Sequence, residues 1–277
     1  MINGSTSSPL RCLDWPIGIC TWSLGNDFDK IASLSERTGL DCVHLSIAPA
    51  LGAGGDKYLT NATKDNLTIT ATMINYPQED YSTLESIKAT GGIVPDDCWQ
   101  TNREMTLNAI KLTSELGVKF LSTHFGFIDL KSKKLLDRTK WVADKAGEFN
   151  VTLLMETGQE IAEELREFLE KLNHPALFVN FDPANMILYD KGNPIEAIKI
   201  LSRWIKHVHI KDAIRTRIRG QWGTEVVWGT GEVGSAEFLR ALKKAGFAGA
   251  LVIEREAGDD RPGDIKSAID KLRMFKG

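Results

Sequence analysis

Val151-Thr-Leu-Leu-Met-Glu156 is a short apolar run that closes on a carboxylate. The pattern returns as Leu177-Phe-Val-Asn-Phe-Asp182, as Ile205-Lys-His-Val-His209 and as Leu251-Val-Ile-Glu254. Each run reads as a strand covered on both faces, and each ends in a residue able to bind a metal. The intervals between the ends match one strand-loop-helix unit or a stretched version of it. One apolar strand with a terminal Glu means little; four in a row predict a single site at one end of a parallel barrel.

Outward from these four, eight β-type runs can be read: Ile17–Thr21, Cys42–Ile47, Leu67–Ile74, Lys119–His124, Val151–Glu156, Leu177–Asp182, Ile205–Ile210 and Ala250–Glu254. Helical patterns lie between most of them. Asp27–Thr38 is capped by Asn26 or Asp27 and stops at Gly39, Asn102–Leu116 follows Thr101, and Ala236–Ala245 follows Ser235. Lys131–Phe149, Gln159–Leu172, Pro194–Trp204 and Asp264–Phe275 complete the series. Only a weak, Gly-rich segment, Leu51–Asn66, follows the second strand, so that crossover is expected to be short or irregular. The alternation predicts a (β/α)8 TIM barrel in one domain over 1–277, with an open doubly wound sheet as the alternative and 1–15 as an irregular N-terminal segment. Two long connections, Tyr76–Gln100 and Ala213–Gly234, leave the carboxyl ends of strands and are expected to wall a pocket.

The composition is that of a globular protein: 277 residues, 42% hydrophobic and 26% charged. A net charge of −3 argues against nucleic acid or a membrane surface as partner. No run approaches the length of a membrane span, and Met1 to Trp15 lacks the apolar core of a signal peptide. Four scattered cysteines without a CxxC pair fit a reducing compartment, so a cytoplasmic location is the default expectation. No Walker or dinucleotide fingerprint occurs, and no nucleotide cofactor is expected.

Three carboxylates and one imidazole make a hard, oxygen-rich ligand set. The expected cofactor is one divalent cation, manganese first, with magnesium, cobalt or zinc as alternatives and a thiolate-type zinc site disfavoured. His207 and His209 share a strand face; His209, nearer the carboxyl end, is the better ligand, and His207 points one layer deeper. His124 ends its strand where Glu156 ends the next and should enter the same pocket, whereas His44 is expected in the core. Lys211 and Asp212 either reach a substrate or pair with each other. Trp22, Asn75 and Tyr76 are candidates for the pocket wall. Arg255 should point to the opposite face from Glu254 and pair outside the barrel.

These residues carry a resemblance. Met155-Glu-Thr-Gly158, Phe181-Asp-Pro-Ala-Asn-Met-Ile-Leu-Tyr189, His207-Val-His-Ile-Lys-Asp-Ala213, Gly229-Thr-Gly-Glu-Val233 and Ile253-Glu-Arg-Glu-Ala-Gly258 together resemble the xylose-isomerase-like barrel superfamily, in its sugar phosphate isomerase/epimerase branch. Gly91-Gly-Ile-Val-Pro95 and Thr123-His124 add to it more weakly. The resemblance implies metal ligands at Glu156, Asp182, His209 and Glu254, with Glu156 and Glu254 also serving as acid and base. It places a substrate-binding arginine at Arg215. Where its ketohexose 3-epimerases carry a histidine, this chain has Asn185, so that contact is altered.

The expected activity is a metal-dependent sugar isomerase or epimerase that moves a proton next to a carbonyl through an enediolate. A dehydratase or lyase on inososes or 3-keto sugars shares the first step, and a non-catalytic sugar-binding protein is a third reading. Metal-dependent phosphodiester cleavage needs many more histidines than the five present. The expected partner is a small sugar or polyol substrate, and a homo-oligomer is left open.

Overall fold

The computed structural model describes residues 10–65, 67–218 and 220–277. Eight parallel strands run in chain order around a closed circle: β2 (Trp15–Cys20), β3 (Cys42–Ser46), β4 (Thr68–Ile74), β5 (Phe120–Thr123), β6 (Thr152–Glu156), β7 (Leu177–Phe181), β8 (Ile205–Ile210) and β11 (Leu251–Ile253). The circle closes because β2 pairs with both β3 and β11. The fold is a single-domain (β/α)8 TIM barrel, and every expected barrel strand is present.

Helices α1 (Phe28–Thr38), α2 (Gly55–Thr63), α3 (Leu84–Thr90), α4 (Asp96–Glu115), α5 (Lys133–Glu148), α6 (Ala162–Leu172), α7 (Pro183–Leu188), α8 (Pro194–Leu201), α9 (Ser235–Lys244) and α10 (Arg261–Met274) surround it. Their buried stripes, such as Ile31 and Leu34 of α1 or Leu165, Phe168 and Leu169 of α6, pack on the outward faces of the strands. Asp27, one of the two expected caps, accepts from the N–H groups of Asp29 and Lys30, and Gly39 closes the helix in the left-handed region.

Three expectations are corrected, and one long connection gains a described structure. The crossover after β3 is not irregular: Gly55–Thr63 forms α2, with Gly54 at φ 86° just before it. Helix α4 starts at Asp96 rather than Asn102, because Asp96 and Asp97 behind Pro95 make a favourable first turn. The stretch expected to be irregular up to residue 15 contains β1 (Arg11–Cys12), paired antiparallel with Trp15 and Pro16; residues 1–9 lie outside the described residues. The connection after β8 is a hairpin of β9 (Asp212–Ile214) and β10 (Thr224–Val226). Among the described residues no helix is long and apolar enough to cross a membrane, and the four cysteines are unpaired.

Candidate metal centre

Strand β6 ends on Glu156, β7 is followed directly by Asp182, β8 carries His209 and β11 is followed directly by Glu254. The barrel therefore delivers four potential ligands to one rim, and one atom from each falls within 4.8 Å of the others. His209 Nδ1 lies 3.4 Å from Glu156 Oε1, 3.5 Å from Asp182 Oδ2 and 3.3 Å from Glu254 Oε2. Glu156 Oε2, Asp182 Oδ2 and His209 Nδ1 are buried without a hydrogen-bond partner. Buried polar atoms are normally paired, so the orphans Asp182 Oδ2 and His209 Nδ1, 3.5 Å apart with Glu156 Oε1 and Glu254 Oε2 beside them, fit a cation that would satisfy them together; Glu156 Oε2 faces His124.

The other edge of His209 is fixed from beneath. Its Nε2 sits 3.0 Å from His44 Nδ1, 3.0 Å from the Asn180 amide and 3.6 Å from Cys20 Sγ. Asn180 in turn meets His207 Nδ1 at 2.9 Å, and His207 Nε2 meets Thr70 Oγ1 at 3.1 Å. His207 is thus the deeper histidine expected from its place one layer below His209 on the same strand face. His44 is in the core as expected, and there it also partners His209.

Each carboxylate has a distinct setting. Asp182 Oδ1 caps α7 by accepting from Ala184 N and Asn185 N at 2.8 and 2.9 Å, which leaves Oδ2 for the centre. Glu254 accepts from Trp22 Nε1 at 2.7 Å and from Lys211 Nζ at 2.9 Å. Glu156 accepts only from Asn185 Nδ2, at 3.2 Å. Burial raises every one of these carboxyls. Around Glu254 the charges of Lys211 and His209 more than reverse it, and around Glu156 those of His209 and His124 do. Asp182 keeps Lys211 only at 4.0 Å, so burial prevails and its carboxyl is pushed up to about 6. His209 is driven toward neutrality by burial, but Glu254 and Glu156 hold it well above the usual imidazole range.

The cluster lies at the floor of a cavity of about 780 Å³. Trp22, Asn75, His124, Asn185 and Lys211 line it as expected, together with Tyr81 and Trp222 from the two long connections. Tyr76 does not; it is buried behind the wall with its hydroxyl on Thr106. Lys211 pairs with Glu254 and Glu256 rather than with its neighbour Asp212, which instead accepts from Gly229, Gly231 and Val233 N–H groups and fixes the loop. Arg215 departs from expectation: its guanidinium turns to Asp190 and the Gly192 carbonyl and is not part of the cavity wall. Arg255 points outside the barrel to Glu225 and Asp264, as parity predicts.

Sequence reasoning missed Glu79. Its carboxylate is held by the N–H groups of Tyr76 and Gly92 and reaches His124 Nδ1 at 3.2 Å, while His124 Nε2 lies 3.6 Å from Glu156 Oε2. Burial works against the charged imidazole, yet Glu79 and Glu156 hold His124 well above its usual range. The length of the Tyr76–Gln100 connection was a signal, but no spacing rule links a loop glutamate to a histidine on the next strand.

A family model described as xylose isomerase-like TIM barrel matches residues 26–275. A structure of a xylose isomerase domain protein from Planctomyces limnophilus superposes with a TM-score of 0.83 at 29% identity, covering 96% of each chain. A xylose isomerase-like TIM barrel protein from Mycobacterium smegmatis, solved in complex with magnesium, superposes at 0.71 with 15% identity, covering 95% of this chain and 98% of that one. In sequence, an inosose dehydratase of Clostridium botulinum is 25% identical over 134 residues. That match spans 44% of this chain and 45% of the relative, less than half of either.

Proposed function

This chain belongs to the xylose isomerase-like TIM barrel family, and from that membership and the geometry of the rim we propose that it is a divalent-metal-dependent sugar isomerase or epimerase. The observation that carries the reading is the meeting of two unpartnered buried atoms, Asp182 Oδ2 and His209 Nδ1, with Glu156 Oε1 and Glu254 Oε2 at the floor of a substrate-sized cavity. Glu156, Asp182, His209 and Glu254 would hold one divalent cation, with manganese or magnesium favoured by the oxygen-rich set. Once bound, such an ion supplies Lewis-acid polarisation of a carbonyl and its neighbouring hydroxyl.

The chain's own groups do the rest. Glu156 has a free oxygen and few donors, so it is the better base for a proton next to a carbonyl. Glu254, steered by Trp22 and Lys211, is placed to return a proton. Asn185 orients Glu156, and Trp22, Tyr81 and His124 wall the space above the floor where the substrate would sit.

A second reading, elimination by a dehydratase or lyase, is favoured by the inosose dehydratase likeness and by His124, a second proton-bearing group beside Glu156. The test is turnover of ketoses, inososes and 3-keto glycosides by metal-replete protein in deuterated water. Deuterium in a product of unchanged skeleton supports epimerisation, loss of water or an alcohol supports elimination, and turnover without exchange sinks both.

A further inference from the structure

The cavity is larger than its floor requires. A hexose displaces about as much as six or seven waters, roughly 200 Å³ at ~30 Å³ each, against the cavity's volume of about 780 Å³. Part of the remainder is bounded by an aromatic shelf. Tyr189 and Trp222 meet edge to face, with centroids 4.7 Å apart, and Phe127 backs Tyr189 at 6.0 Å. Tyr189 closes α7, the helix whose cap is Asp182, so shelf and floor are joined by one element.

Trp222 is brought to the cavity by a glycine. Gly223 N–H donates to the Leu188 carbonyl at 3.1 Å. A Cβ at that position would stand 2.7 Å from the Ile214 oxygen and 3.1 Å from Leu188 Cα, so a larger residue would push the hairpin off α7. Trp222 Nε1 is buried and has no acceptor. A buried indole N–H ordinarily finds one, but this nitrogen is closed off from the cavity, so what the shelf offers a ligand is its aromatic surface.

Charge narrows the occupant. Among the described residues of the wall, the carboxylates Glu156, Glu225, Glu254 and Glu256 outnumber the cations Lys211 and His124, and Glu225 is answered from behind by Arg255. Lys211 is taken by Glu254 and Glu256, and His124 by Glu79. Above the four-residue floor, a phosphate or carboxylate on the substrate would meet no unpaired cation among the described residues of the wall.

We propose that the substrate is an uncharged glycoside whose second ring, a sugar or an aryl group, lies on the Tyr189–Trp222 shelf. The placement of the first ring at the four-residue floor rests on the proposed function; the shelf is tested apart from it.

The experiment is calorimetric titration of the metal-replete protein with glucose, methyl glucoside, phenyl glucoside and glucose 6-phosphate, in wild type, Trp222→Ala and Trp222→Phe. Phenyl glucoside should bind about tenfold tighter than methyl glucoside, the size of one aromatic contact, and glucose 6-phosphate no tighter than glucose. Trp222→Ala should erase the phenyl advantage and leave methyl glucoside unchanged, whereas Trp222→Phe should keep most of it. Equal binding of the two glucosides, an advantage that survives Trp222→Ala, tighter binding of the phosphate, or no binding of any neutral probe overturns the proposal. If deuterium exchange fails while the Trp222-dependent preference stands, the proposed reaction falls and the shelf remains; exchange without the preference does the reverse.

Discussion

Asn185 donates from its side-chain Nδ2 to Glu156 Oε1 at 3.2 Å, while its backbone N–H is held by Asp182 Oδ1 at 2.9 Å. One residue of α7 thus sets the orientation of a carboxylate on a different strand. Asn185→Ala should lower turnover about ten- to hundredfold, as expected for losing a hydrogen bond to a charged group of about 1.5–3 kcal/mol. Metal affinity should change far less. Steady-state rates beside a metal titration check this; an unchanged rate would remove Asn185 from the machinery.

Gly158 lies at φ 146°, and a Cβ there would stand 2.5 Å from Asn185 Cβ. Gly158→Ala should therefore mimic the loss of Asn185 without touching any candidate ligand. Its turnover should fall by a similar factor while the metal titration remains near wild type.

Asp182 caps α7 with one oxygen and in the proposed site holds the cation with the other, and substitutions should separate the two roles. Asn caps helices about as well as Asp, so Asp182→Asn should keep the metal-free melting temperature while losing metal affinity. Asp182→Ala should lose the affinity and also about 1 kcal/mol of stability. Thermal melts of metal-free protein combined with manganese titration decide between the outcomes.

Manganese at about a hundred times its dissociation constant should add about 2.7 kcal/mol to the unfolding free energy. Chelator should remove it, and a variant lacking both Glu156 and Asp182 carboxylates should show no gain. A melting temperature indifferent to every divalent ion would contradict the metal reading.

Glu160 is buried, and that burial, with Glu164 adding to it, pushes its carboxyl from 4.5 up to about 8. The folded state therefore keeps a proton that the unfolded chain has released. The stabilisation is complete below about pH 4.5 and fades as pH rises toward 8. Glu160→Gln should flatten that slope and stabilise the protein at neutral pH, as measured by urea unfolding across the range.

The barrel and its floor were legible because both are written in local repeats. Apolar runs such as Val151–Glu156 show strand and terminal ligand together, and position along a shared strand face separated His209 from the deeper His207. The wall was less legible. Glu79 and Trp222 sit on long connections, and only tertiary closure brings them beside His124 and Tyr189. Arg215 was misplaced for a related reason: position after a strand does not say which way a long side chain turns, and here Asp190 and the Gly192 carbonyl take it. Helix α2 was hidden by its glycines, which start it rather than break it.

The double use of Asp182 also limits how the site could be redesigned. Asp182→Cys, the obvious change for recruiting a softer ion, would remove the acceptor for the Ala184 and Asn185 N–H groups and loosen the start of α7. Asn185 and Tyr189 ride on that helix, so a change of metal preference made at residue 182 would also disturb the grip on Glu156 and the aromatic shelf. Ion selectivity is better re-engineered through Glu156 or Glu254, whose side chains cap no helix.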